Sequence, residues 1–253
     1  ASGYEALLSN TTGSYNVANG NAALFSNTTG SNSVAIGVSS LYSNTTGSFN
    51  TAIGVNSLSL NTTGDINTAL GYYALSSNTT GIENVAVGAN ALRENITGVS
   101  NTAVGQSSLR SNTIGIANTG VGTLSLNSNI SGSENTAIGL NTLRDNTAGD
   151  DNVAIGVNTL LTNVSGSDNT AVGRQTMFSN TTGSNNVAIG KFSLNDNLTG
   201  SFNVAIGRDA LFSNTASNNV AVGYQALRYN TTGIYNTSVG YQALRLNTTG
   251  FQN

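Results

Sequence analysis

The chain has no proline, cysteine, histidine or tryptophan. Without cysteine there is no disulfide framework and no thiolate metal site. Without histidine the commonest metal ligand and general base is missing. Charge is scarce as well: Lys, Arg, Asp and Glu make up 8% of the 253 residues, where a soluble domain usually carries about 25%. The eight Lys and Arg are scattered along the sequence, and a net charge of −3 offers no basic field for nucleic acid or anionic lipid. Apolar runs stop at three or four residues, so no segment of this sequence reads as inserting into a membrane. A start at Ala1 rather than Met reads as loss of an N-terminal segment or as a portion of something longer.

What is abundant is Asn, Ser, Thr and 30 Gly, and they are strictly ordered. Asn recurs at 10, 27, 44, 61, 78, 95, 112, 129, 146, 163, 180, 197, 214, 230 and 247, always 17 residues apart except for 16 between 214 and 230. With this Asn as position 1, position 4 is Gly except in the shortened copy. Position 7 is Asn except at Ser33, position 9 is nearly always Ala, position 11 is Gly, and position 15 is Leu except at Met177. The two Gly columns use 29 of the 30 glycines; the other, Gly120, replaces an Ala at position 9. A fixed period of this kind belongs to a stacked repeat architecture.

Seventeen residues with two glycines are too few for a helical pair. Positions 8–10 alternate larger, small, larger, as a strand would, and the Asn-x-x-Gly segments read as turns. The expected fold is all-β: a parallel β-solenoid, flattened into a β-roll. It would have about fifteen 17-residue coils with strands over positions 6–10 and 13–17, forming one continuous repeat domain over 1–253. At about 4.8 Å per coil, the stack would be on the order of 70 Å long. Turn ladders are expected from Asn44, Gly47, Asn50 and Gly54, and from Asn180, Gly183, Asn186 and Gly190. Ile53, Leu58, Val187, Ile189 and Leu194 are expected to fill the core. Ala at position 9 would then face outward, either as a tight strand residue or as a flat protomer interface built from Ala52, Ala154, Ala171, Ala188 and Ala205.

The string N-[VT]-A-[IV]-G resembles the head repeats of trimeric autotransporter adhesins of the YadA-like family. It stands here as NSVAIG at 32–37, NVAIG at 152–156, 186–190 and 203–207, and NTAVG at 101–105 and 169–173. VGYQAL at 222–227 and 239–244, together with NTTG, is similar to the repetitive shafts of phage and virus tail fibres. The resemblance spans the whole chain. It implies a left-handed parallel β-roll, commonly trimeric, exposed on a cell or particle surface. The adhesin heads repeat on a shorter period with a shorter turn.

Chemistry finds little purchase in this pattern. Asp150-Asp151 is the sole adjacent acidic pair and lies at variable turn positions, so no positioned acid–base pair recurs and an enzyme is not expected. Eleven acids spread over positions 5, 6, 13 and 17 form no calcium ladder. Asn-x-Ser/Thr sequons begin at position 1 in most copies, making Asn10, Asn27, Asn44, Asn180, Asn230 and Asn247 candidate N-glycosylation sites. Asn persists in NTIG and NTAG, where the sequon fails, which favours a turn role instead. Ice-binding Thr would stand as T-x-T on a strand, whereas the NTTG threonines are adjacent. Tyr15, Phe49, Phe202 and Tyr235 at position 6, with Tyr72, Tyr224 and Tyr241 at position 12, are either ligand-contact patches or ordinary exposed residues.

The chain enters the repeat at position 9 and leaves at position 7, so both ends read as uncapped, as in a longer shaft or a head-to-tail filament. The expectation is a non-enzymatic structural protein, extracellular, on a cell surface or in a virion fibre. Its partner would be itself, laterally as an oligomer such as a trimer, or head to tail. The alternative is an adhesin head that binds a host-surface or matrix ligand; an ice- or glycan-binding solenoid ranks third. No cofactor, nucleic acid or membrane insertion is expected.

Overall fold

A computed structural model describes residues 1–253 and contains strands and turns but no helix. The chain divides into two compact units, Ala1–Ser131 and Gly132–Asn253. In the first, the strands are β1 (Val17–Asn19), β2 (Val34–Ile36), β3 (Thr51–Ile53), β4 (Thr68–Leu70), β5 (Val85–Val87), β6 (Thr102–Val104) and β7 (Thr119–Val121). In the second they are β8 (Thr136–Ile138), β9 (Val153–Ile155), β10 (Thr170–Val172), β11 (Val187–Ile189), β12 (Val204–Ile206), β13 (Val220–Val222) and β14 (Thr237–Val239). Within each unit every strand pairs in parallel with the next in sequence, like residue on like residue: Ala35 on Ala52 on Ala69 in the first, Ala171 on Ala188 on Ala205 in the second. This is the parallel β-solenoid that the period predicts. The expected fifteen coils is slightly too many: fourteen coils carry a strand, because the first partial copy contributes only an isolated bridge between Ser2 and Asn19.

Each coil has one strand, not two. In the coil that starts at Asn44, the chain leaves the strand at Gly54 with φ at +133° and then places Asn56 (φ 55°) and Leu58 (φ 50°) in the left-handed region. Phe49, ahead of the strand, is also left-handed at φ 59°. These conformations close the coil but interrupt any extended run over positions 13–17. Each costs an L-residue about 1–2 kcal/mol. Hydrogen bonds to neighbouring coils offset that cost: Leu58 N donates to Ala74 O at 3.0 Å, Leu60 N to Ser76 O at 3.0 Å and Asn56 N to Val38 O at 3.0 Å. The segment thus has a sheet's intercoil bonding without a strand's dihedral angles.

The strand faces the opposite way from the expectation. Ala52, Ala154, Ala171, Ala188 and Ala205 are all fully buried and cannot form an outward protomer interface. Ile53 and Ile189, expected in the core, are 36% and 41% exposed, and Val187 is half-exposed. Space decides this. The lumen already holds Leu58 or Leu194, both fully buried, and two side-chain amides per coil, so the strand has room inside for a methyl group only. The Leu column is the main apolar term, each buried Leu contributing about 1.5–3 kcal/mol.

The amides are also interior, and they bond along the stack. Asn44 Nδ2 donates to Gly47 O at 2.9 Å and to Asn27 Oδ1, one coil back, at 2.8 Å; Asn61 Nδ2 repeats the step onto Asn44 Oδ1 at 2.8 Å. Asn50 Nδ2 reaches Gly64 O in the following coil at 2.8 Å, while its Oδ1 accepts the backbone N–H of Asn67 at 2.9 Å. Asn180 repeats the Asn44 bonds, to Gly183 and Asn163, and Asn186 repeats those of Asn50, with Nδ2 on Gly200 O at 2.9 Å and Oδ1 accepting Asn203 N–H at 2.9 Å. A buried amide left unpaired costs about 1–3 kcal/mol, so both columns hold only while coils stack in register. Gly183 makes room for this: a Cβ there would lie 2.4 Å from Asn180 Oδ1 and 2.4 Å from Gly200 O. Ser33 fills its place in the Asn column with a hydroxyl that accepts Asn50 N–H at 3.2 Å.

Candidate functional site

With the interior columns committed to one another, the candidate surfaces are outside: the outer strand face, the turn at positions 5–6 and the turn region at 12–17. Position 10 forms an exposed apolar column on the strand face of each unit, with Ile36, Ile53 and Leu70 in the first and Ile138, Ile155 and Ile189 in the second. Val38, Val55 and Tyr72 extend it into position 12 of the first unit.

The aromatic residues singled out at position 6, Tyr15, Phe49, Phe202 and Tyr235, are all exposed, as are Tyr72, Tyr224 and Tyr241 at position 12. The rings of Tyr224 and Tyr241 stack across neighbouring coils at 5.3 Å and 12°. Phe25 and Tyr42 do the same at position 16, 5.0 Å apart, a pair that inspection of positions 6 and 12 misses. Like residues one period apart carry the signal for such stacks.

The cations are scattered in sequence but not around the coil. All eight fall in two columns: Arg174, Lys191 and Arg208 at position 12, and Arg93, Arg110, Arg144, Arg228 and Arg245 at position 16. The position-16 column is engaged locally. Arg144 forms two 2.7 Å bonds to Asp145, which hold its guanidinium above the ordinary Arg pKa, and Arg110 lies 3.7 Å from Glu94. Arg93 lies over Tyr73, and Arg228 over both Phe212 and Tyr229. Position 12 is more open: Arg174 has no side-chain partner, Lys191 lies over Phe192 at 4.8 Å, and Arg208 is 3.5 Å from Asp209.

Asp150 and Asp151 do not act together. Asp150 Oδ1 accepts the Ser133 backbone N–H at 2.7 Å, while Asp151 is exposed beside it. Asp196 has a carboxyl raised above the usual range by desolvation, opposed by a hydrogen bond from Ser213. No group of three or more metal-ligating side chains converges, and no helix is long and apolar enough to cross a membrane.

The sequon asparagines are corrected by their burial. Asn27, Asn44, Asn180 and Asn230 are fully buried, and each Nδ2 donates both to the neighbouring amide and to the position-4 carbonyl. A sugar on that nitrogen would replace a donor hydrogen and has no room in the folded coil. Asn10 and Asn247 are half-buried and donate to Gly13 and Gly250 in the same way. The accompanying threonines serve the stack too: Thr45 Oγ1 donates to Thr62 O at 3.0 Å and Thr181 Oγ1 to Leu198 O at 2.8 Å. No protein-family model, curated protein or solved structure matches the chain.

Proposed function

We propose that this chain is a structural protein, a β-solenoid shaft segment of an extracellular, cell-surface or virion fibre that assembles with further copies of itself. One observation carries the reading: the polar side chains that recur every 17 residues are spent on the next coil. Asn44 binds Asn27, Asn61 binds Asn44, and Thr45 binds Thr62. The repeat therefore produces stacking, which is the chemistry a shaft requires. The resemblance of NVAIG and VGYQAL to adhesin-head and tail-fibre repeats supports a surface location.

A second reading, an adhesin head that grips a host or matrix ligand, is favoured by the exposed stacked rings of Tyr224 and Tyr241, which offer a flat aromatic surface. Electron microscopy of the purified chain without ligand separates the two. Fibres whose diffraction repeats at about 4.8 Å along the axis are the expected result. Discrete particles that bind a matrix ligand saturably through Tyr224 and Tyr241 would replace the shaft with the adhesin.

A further inference from the structure

Two of the outer columns of the second unit carry charge in a matched pattern. At position 6, Glu134, Asp151 and Asp168 occupy three consecutive coils, all exposed and none with a side-chain partner. At position 12, Arg174, Lys191 and Arg208 also occupy three consecutive coils, all exposed. Position 12 carries charge nowhere else in the chain, and position 6 only at Glu83. The columns flank opposite ends of the strands: in the coil that starts at Asn163, Asp168 precedes β10 (Thr170–Val172) and Arg174 follows it. The two runs have the same coil spacing, of about 4.8 Å. Each acid is separated from its counterpart by the same 40 residues: 134 to 174, 151 to 191 and 168 to 208.

Like charges stacked one above another on adjacent coils repel. The fold itself gives the acidic rungs no counter-charge, and of the basic rungs only Arg208 has a carboxylate nearby. A ladder of fixed pitch is best neutralised by an opposite ladder of the same pitch, and the chain carries one on its other edge. We propose that the acidic edge of one copy docks side by side on the basic edge of a second, parallel copy displaced by two coils, pairing Glu134 with Arg174, Asp151 with Lys191 and Asp168 with Arg208. Each copy keeps one edge free after pairing, so the contact is heterologous and propagates laterally. The inference rests on the structural reading and adds the partner, the surface and the register.

The test uses the full chain in two charge-reversed forms, Glu134→Lys with Asp151→Lys, and Arg174→Glu with Lys191→Glu. Arg208 is left in place because of its contact with Asp209. Circular dichroism checks that both forms fold, and light scattering with electron microscopy reads lateral association at low salt. The unaltered chain is expected to form side-by-side bundles that disperse as salt approaches about 1 M, where the Debye length falls to about 3 Å. Each reversed form alone should lose lateral association, and mixing the two in equal amounts should restore it. The cysteine-free sequence allows a check of direction: Glu134→Cys on one chain should cross-link to Arg174→Cys on another, and not to Arg208→Cys. Bundling unchanged by either reversal, or loss without rescue on mixing, overturns the proposal. So does cross-linking to position 208 instead. Single fibres that persist while bundling ignores charge would remove the lateral contact and leave the shaft reading intact.

Discussion

The coil from Asn180 to Asp196 and the coil from Asn214 to Tyr229 solve the same problem with different chain lengths. In the first, Asn180 Nδ2 spans three residues to Gly183 O at 3.0 Å and one coil to Asn163 Oδ1 at 2.8 Å. In the second, one residue is missing from the turn and Ala216 takes over the glycine's carbonyl, accepting Asn214 Nδ2 at 2.6 Å and Asn203 Nδ2 at 2.9 Å. The price is one rung: Asn214 no longer reaches back, and Asn197 Oδ1 is buried without a partner. The other amide ladder keeps its backbone bond but not its amide–amide bond: Asn219 N still donates to Asn203 Oδ1 at 3.0 Å, while Asn219 Nδ2 turns to Asn214 Oδ1 at 3.3 Å. Val204 stays in register with Val220, and the broken ladder resumes with Asn230 Nδ2 on Asn214 Oδ1 at 2.8 Å. The strand pairing and the backbone bond beside it therefore keep the register, while the amide–amide bonds of both ladders tolerate a local fault.

The largest expected effect comes from forcing the short coil's residue into a full-length one. Gly183→Ala puts a Cβ against Asn180 Oδ1 and Gly200 O, both 2.4 Å away in the present backbone. Neither neighbour can retreat without breaking a ladder bond, so the loss should reach about 3 kcal/mol or more. Ala216→Gly, the reverse exchange in the shortened coil, should cost no more than about 1 kcal/mol. Urea unfolding gives the global difference. Hydrogen exchange locates it, because stacked repeats open locally. Equal losses at both sites would mean that the glycine is not there to clear space for the amide.

A smaller contrast tests what a rung contributes. Asn180→Ala leaves Asn163 Oδ1 without a donor and takes one of its two acceptors from Asn197 Nδ2, while Gly183 O keeps Asn169 Nδ2 at 2.9 Å. Asn197→Ala removes donations to Gly200 and Asn180, but its Oδ1 has no partner to lose. With each unsatisfied buried group worth about 1–3 kcal/mol, Asn180→Ala should be the more damaging by at least about 1 kcal/mol in urea unfolding. The opposite order would show that the missing rung is compensated elsewhere.

Much of this was legible in the sequence, and the parts that were not share a cause. The period, both Gly columns, both Asn columns and the buried Leu58 and Leu194 follow from recurrence and residue type. The facing of the strand does not follow from hydrophobicity, because Ile53 outranks Ala52 as a core residue in any ordinary sheet. A 17-residue coil has no ordinary interior. Two amides and a leucine nearly fill it, so size rather than hydrophobicity sorts the strand triplet. A signal existed in the columns: position 9 varies only among Ala, Gly120 and Ser238, while position 10 accepts Ser, Asn, Val, Leu and Ile. The second strand failed for a different reason. Leu is rarely left-handed, so nothing in its identity announces φ near 50° at Leu41, Leu58 and Leu194. Glu134, Asp151 and Asp168 look unremarkable in linear order too, and their alignment with Arg174, Lys191 and Arg208 shows only once the chain is folded onto its period.

The smallest expected effect is a repair. Inserting Gly between Ala216 and Ser217 turns the short turn into NTAG, the turn already present at 146–149, and restores the 17-residue spacing. Asn214 Nδ2 should then return to Asn197 Oδ1, as Asn163 Nδ2 reaches Asn146 Oδ1 at 2.8 Å in the coil that follows that NTAG turn. Satisfying one buried carbonyl oxygen is worth about 1 kcal/mol, at the low end because the rest of Asn197 is already bonded. A more flexible turn residue takes back part of that gain through the entropy of the unfolded chain. The net stabilisation should therefore be small and positive, and hydrogen exchange should show added protection confined to the coils on either side of Asn197. A stabilisation spread evenly over the chain, or none at Asn197, would mean that the fault in the ladder costs nothing, and that stacking depends on the backbone bonds alone.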